Sequence, residues 1–137
     1  GDLDLVTNNL NEPAWIFENK ADKALGHHFL RVRLHGHHGI GAQLRVYANG
    51  QTQWLEYNPV RGFQSSQEPF LHIGLGKATQ VDSLVLTWPD GQQQRLTSLP
   101  VDQVLTLHHR DAQSAPSSNQ SKTSPIFTEI TGQSGLD

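Results

Sequence analysis

The chain has 137 residues, 35% of them apolar and 17% charged, with 10 Lys and Arg against 13 Asp and Glu and no cysteine. That length suits one ordinary domain plus tails, able to bury a core without disulfides or a metal. The net charge of -3, with Lys and Arg unclustered, lacks the basic footprint of a nucleic-acid or anionic-membrane binder, and no apolar run reaches the length of a membrane span.

Residues 3–6 and 14–17 are short apolar runs separated by NNLNEP, which predicts a hairpin. An isolated two-stranded hairpin is marginal in water, so Trp15, Ile16 and Phe17 are expected to dock on the main domain. Residues 19–26 read as a linker. From Phe29 the pattern alternates: Leu30, Val32 and Leu34 point one way, and Phe29, Arg31, Arg33 and His35 the other, as in a half-buried strand. After a Gly-rich loop over 36–41, residues 42–48 form a second strand with Ala42, Leu44 and Val46 on its apolar face.

Asn49-Gly50 is the strongest hairpin signal, because a two-residue type I′ turn needs positive φ at both central positions. It fixes a register. Pairing outward sets Leu44 opposite Leu55 and Ala42 opposite Tyr57 toward the core, with Arg45 opposite Trp54 and Tyr47 opposite Thr52 on the outer face. There an Arg lying over the indole would gain about 0.5–1 kcal/mol. Residues 59–69, PVRGFQSSQEP, make a long loop with proline at both ends. Loops of this kind on rigid β-scaffolds often bind ligands, which makes Phe63, Ser65 and Ser66 candidates. The structural alternative has Phe63 plugging the end of the core and the hydroxyls capping local backbone.

Leu71, Ile73 and Leu75 alternate with Phe70, His72 and Gly74 as a further strand, and the glycines around Leu75 suggest a bulge or tight exit rather than a phosphate cradle. The strand over 83–88 carries Leu84, Leu86 and Trp88 on one face. Pro89-Asp90-Gly91 then suits a type I turn with a left-handed glycine, whose return strand places Leu96 opposite Leu84. The last strand covers 103–109 with Leu105 and Leu107 inward. From Asp111 the run DAQSAPSSNQSKTSP is too poor in apolar residues to offset its chain entropy, and it reads as a linker over 111–124. The expected fold is all-β, an antiparallel β-sandwich or flattened barrel of about seven or eight strands.

Three segments in this order, GFQSSQ at 62–67, LHIGLG at 71–76 and VDSLVLTWPDG at 81–91, resemble the ASPIC/UnbV domain. That domain is an extracellular module found beside FG-GAP/VCBS β-propellers, and the likeness covers roughly residues 27–109. One departure stands out: relatives carry an Asn-Arg pair in a longer loop, where this chain has His37-His38-Gly39-Ile40-Gly41-Ala42, so no role of that pair is carried over. Residues 1–9, GDLDLVTNN, are similar to the second half of an FG-GAP/VCBS calcium loop, with Gly1 as turn glycine, Asp2 offering a carbonyl and Asp4 a carboxylate. The earlier ligands are missing, so no strong calcium site is expected here; calcium would belong to the intact neighbouring propeller. The resemblance implies that 1–26 is the remnant of a preceding blade, 27–110 the ASPIC/UnbV-like domain, and 125–137 the start of a following propeller-like segment. With no Met and a start inside a motif, the chain reads as an excised piece of a longer protein, and within this piece no signal peptide is expected.

Eight histidines invite a metal, the tightest group being His35, His37 and His38, with His27-His28 and His108-His109 available through strand pairing. Neighbouring residues of a strand face opposite ways, there is no HExxH and no cysteine, and surface histidines are the simpler account. Ser65 or Ser66 with His72 and Asp82 are the residue types of a nucleophilic triad, but there is no strained GxSxG turn and no facing carboxylate pair, so the chain is not read as an enzyme. The resemblance then implies a non-catalytic extracellular, periplasmic or cell-surface accessory module that links propellers and contributes to adhesion or to recognition of a protein or glycan. Its partners would be the adjacent propellers, with no nucleic acid and no membrane insertion. The alternative is a carbohydrate-binding module using the outer-face patch of Arg45, Tyr47 and Trp54.

Overall fold

The computed structural model describes residues 3–36 and 39–114. Asp2, His37, His38, most of the 111–124 linker and the 125–137 segment lie outside the described residues. The described part is mostly strand: β1 Leu5–Thr7, β2 Trp15–Phe17, β3 His28–His35, β4 Gln43–Ala48, β5 Gln51–Glu56, β6 Leu71–Gly76, β7 Gln80–Thr87, β8 Gln93–Pro100 and β9 Gln103–His108. A one-turn helix, α1 Ala21–Leu25, interrupts the segment expected to be a plain linker.

β3 to β9 make a sandwich of two sheets, ordered β6-β3-β9 and β5-β4-β7-β8. The alternation in sequence explains the layering. Leu30, Val32, Ile73, Leu44, Leu84 and Leu86 are all buried between the sheets, at about 1.5–3 kcal/mol each. Trp88 closes one end at 1% exposure. No sheet closes into a barrel.

The hairpin at Asn49-Gly50 has the expected left-handed residues, φ 49 and 72, and the expected register, Leu44 with Leu55, Arg45 with Trp54 and Tyr47 with Thr52. Ala42 and Tyr57 extend that ladder by one pair, and both are buried. The Pro89-Asp90-Gly91 loop is likewise as read: Gly91 N donates to Trp88 O at 2.9 Å, Trp88 N to Gln92 O at 2.8 Å, and Leu84 lies opposite Leu96. Between β3 and β6 the pairing jumps from His28 with Gly76 to Phe29 with Gly74. Leu75 is therefore the extra residue of a bulge, and Gly76, at φ 55, makes the exit.

β3 pairs with β6 antiparallel but with β9 parallel, Arg31 opposite Val104 and His35 opposite His108. Each open flank of the sandwich carries a glutamine reaching across to the other sheet. On one flank Gln53 Nε2 on β5 donates to the Gly74 carbonyl on β6 at 2.7 Å. On the other, Gln94 Nε2 on β8 donates to the His108 carbonyl at 3.0 Å, while Gln94 Oε1 accepts from Trp88 Nε1 at 3.1 Å.

β1 and β2 pair as expected, but Trp15, Ile16 and Phe17 do not dock on the sandwich; they are 55%, 76% and 49% exposed. Asp4 Oδ1 instead accepts from Asn19 N, tying the hairpin to the segment that leaves it. The hairpin is held from within its own stretch of chain: Asn9 Nδ2 donates to the Pro13 carbonyl and Asn19 Nδ2 to the Leu3 carbonyl.

Candidate functional site

The flank between β5 and β6 is zipped at one end by Gln53 and splayed at the other. The opening is a cleft of about 550 Å³ lined by Trp54, Leu55 and Glu56 from β5, Asn58, Arg61 and Gln67 from the following loop, and Phe70, Leu71 and His72 at the start of β6. Trp54 is 53% exposed on the outward side of β5, where the Asn49-Gly50 register puts it. Edge position and outward register together leave an indole at the rim of a hollow.

The loop over 57–70 is a small hairpin. Val60 bridges Ser66, Arg61 N donates to Ser65 O at 3.3 Å and Gln67 N to Pro59 O at 2.8 Å. Gly62 and Gln64 take positive φ at its tip. Ser65 Oγ donates to the Arg61 carbonyl, Asn58 Oδ1 accepts from Val60 N, and Gln67 Nε2 donates to Asn58 O. The hydroxyl of Ser65 is thus spent on the loop, as the structural alternative held. Phe63 is not: at 91% exposure it projects from the tip and plugs nothing, because the turn at Gly62 and Gln64 carries it away from the core.

Behind Phe70 lies a group that alternation placed on one face but did not mark as a site. The guanidiniums of Arg31 and Arg33 lie 4.1 and 4.4 Å from the Phe70 ring, and Arg31 also pairs with Glu68. Phe29 stacks on His72 with ring centres 5.9 Å apart and planes within 2°. Among the described residues both cation–π contacts fall on Phe70, so the arginine-aromatic stack forms here and not between Arg45 and Trp54. The signal was the period-2 row Phe29, Arg31, Arg33; what hid it was that Phe70, the residue just before β6, comes about 40 residues later.

Burial first, and the Arg31 charge second, hold the His72 imidazole below its ordinary pKa, with Glu68 opposing. His72 Nδ1 and Arg31 Nε are buried with no hydrogen-bond partner. His72 therefore favours the neutral form at the back of the cleft. The arrangement offers a flat indole and phenyl face with amide and guanidinium donors around them, which suits a ligand with both an apolar face and hydroxyl or carboxylate groups.

Arg45 and Tyr47 sit beside Trp54 on β4, on the outer face as expected, and Arg45 also faces Val85 on β7. The residues named for a triad are apart in the fold: His72 stacks on Phe29 in the three-stranded sheet, while Asp82 lies on β7 in the four-stranded one. The histidines pair separately. His28 Nδ1 lies 2.6 Å from Asp102 Oδ2, His109 Nε2 lies 2.8 Å from Asp90 Oδ2, and the His35 and His108 rings are 4.6 Å apart. Among the described residues no three His, Asp or Glu side chains come together as a metal group. The bond from His28 lowers the Asp102 pKa, helped by Phe29 N; for Asp90 the Gln92 backbone bond is the main cause and His109 adds to it.

No helix among the described residues is long and apolar enough to cross a membrane. A search of curated proteins found no match to the chain. The family model described as ASPIC and UnbV matches residues 34–114, from the end of β3 through the whole cleft to the last described residue. That match takes in more than half of the 137 residues, and with the motif-bearing strands β6 and β7 inside it, this chain belongs to the ASPIC and UnbV family.

Proposed function

We propose that the domain is a non-catalytic accessory module of an extracellular, periplasmic or cell-surface protein, linking β-propellers of the FG-GAP/VCBS kind and contributing to adhesion or ligand recognition. The observation that carries this reading is the β1–β2 hairpin. Leu5, Val6, Trp15, Ile16 and Phe17 are all about half exposed or more, and an apolar ribbon that covers nothing in its own domain suits one that packs in a neighbouring blade. The FG-GAP-like spacing of Gly1, Asp2 and Asp4 supports the same neighbour, and any calcium would be held there rather than by this domain. The test compares amide exchange of residues 5–17 in this chain alone and in a propeller-containing parent. Protection rising at least tenfold in the parent is expected; equal exchange would sink the linking role.

A second reading rests on the cleft. Trp54 and Phe70 at a concave, half-polar opening favour carbohydrate as the recognised ligand, the indole stacking on a sugar face while Arg61, Asn58 and Gln67 meet hydroxyls. Glycan-array binding that vanishes in Trp54→Ala is the expected outcome. Binding unchanged in that variant removes the cleft from the role.

A further inference from the structure

We propose that His35 and His108 form a two-histidine site for a divalent transition-metal ion with tetragonal preference, copper(II) or nickel(II). The two residues are the last of β3 and β9, and they are direct partners in the parallel ladder. Their rings stand side by side with centres 4.6 Å apart and planes inclined by 46°.

That separation bears on which ion would fit. An imidazole nitrogen binds such ions at about 2.0–2.1 Å, which sets the ring centre about 3.2 Å from the metal. Two ring centres 4.6 Å apart then subtend about 90° at a shared ion, the cis angle of a tetragonal copper or nickel site and below the tetrahedral angle zinc takes.

The backbone under the pair is held before any ion arrives. His35 is in register with His108, and the His108 carbonyl is fixed by Gln94 Nε2. His35 is exposed and His108 half-buried, so an ion can reach both. Five of the chain's eight histidines, at 35, 37, 38, 108 and 109, belong by sequence to these two strand ends. His109 is engaged with Asp90, and His37 and His38 lie outside the described residues, so the pair carries the site.

The experiment titrates copper(II) into the whole chain against glycine as competitor, with binding followed by calorimetry and ligand nitrogens counted by electron paramagnetic resonance. It is run on the unaltered chain and on His35→Gln, His108→Gln and the double variant, whose melting in EDTA is compared first because glutamine keeps the size of the side chain. One bound ion with two imidazole nitrogens is expected. Each single substitution should weaken binding at least tenfold and leave one imidazole nitrogen on the ion, and the double variant should leave none. Two bound ions, each with one imidazole nitrogen, would overturn the site. So would binding that is indifferent to both substitutions. Glycan binding at the cleft and protection of the hairpin stay unchanged in these variants, so the result stands apart from the proposed function.

Discussion

Gln94 offers the sharpest test of how the two sheets are held together. Its side chain accepts from Trp88 Nε1, on a residue 1% exposed, and donates to the His108 carbonyl at the facing sheet. Gln94→Leu keeps the volume and removes both bonds. The stranded indole N–H has no access to water, which costs about 1–3 kcal/mol, and the lost bond to His108 adds about 1 kcal/mol. The sum is about 3 kcal/mol, a fall in Tm on the order of 15 °C for a domain of this size. Urea unfolding followed by far-ultraviolet circular dichroism of the sheets reads it in any background, with or without Trp88. In a Trp88→Phe background the same substitution should cost only about 1 kcal/mol, since no donor is left unpaired. A loss below about 0.5 kcal/mol in the parent background, or equal losses in both, would refute the claim that Gln94 is the clip on this flank.

Three further outcomes are expected. Asp90 and Asp102 have folded pKa values below the ordinary 3.8, so the unfolded chain takes up protons first as pH falls. Their contribution is full above pH 3.8 and fades as pH drops through the lowered values, so Asp102→Asn should flatten the acid limb of a Tm-against-pH curve; a parallel limb would contradict it. Gly50→Ala, at φ 72, should cost about 1–2 kcal/mol in chemical denaturation through left-handed strain, and a neutral result would mean that the turn is not type I′. Trp54→Ala should change stability by no more than about 0.5 kcal/mol, because the indole is 53% exposed; a larger loss would make it a packing residue rather than a recognition residue.

The readable part of the fold was the part set by nearest neighbours in the chain. Asn49-Gly50 and Pro89-Asp90-Gly91 dictate their own dihedrals, and a turn fixes which residues face each other across it; hence Leu44 with Leu55 and Leu84 with Leu96 were legible. The inward set followed from alternation. Hidden were the pairings between strands far apart in sequence. Nothing local says that β9 lies parallel to β3, that Phe70 arrives between Arg31 and Arg33, or that Gln53 and Gln94 turn inward to meet carbonyls of the other sheet. Phe63 and Trp15 misled for one reason: an apolar side chain implies burial only where the backbone can bring it to a core, and a left-handed turn and a hairpin tied to its own flanking segment do not.

The parallel alignment of β3 and β9 has a mechanical consequence. The polypeptide comes into β3 at His28 and leaves β9 at His108, at opposite ends of two adjacent strands that run the same way. Tension between the segments flanking the domain would drag these strands past each other lengthwise, loading all the rungs between Leu30 and His35 together rather than peeling them one by one. A domain threaded in this manner bears force in shear, the stronger of the two directions for a hydrogen-bonded ladder.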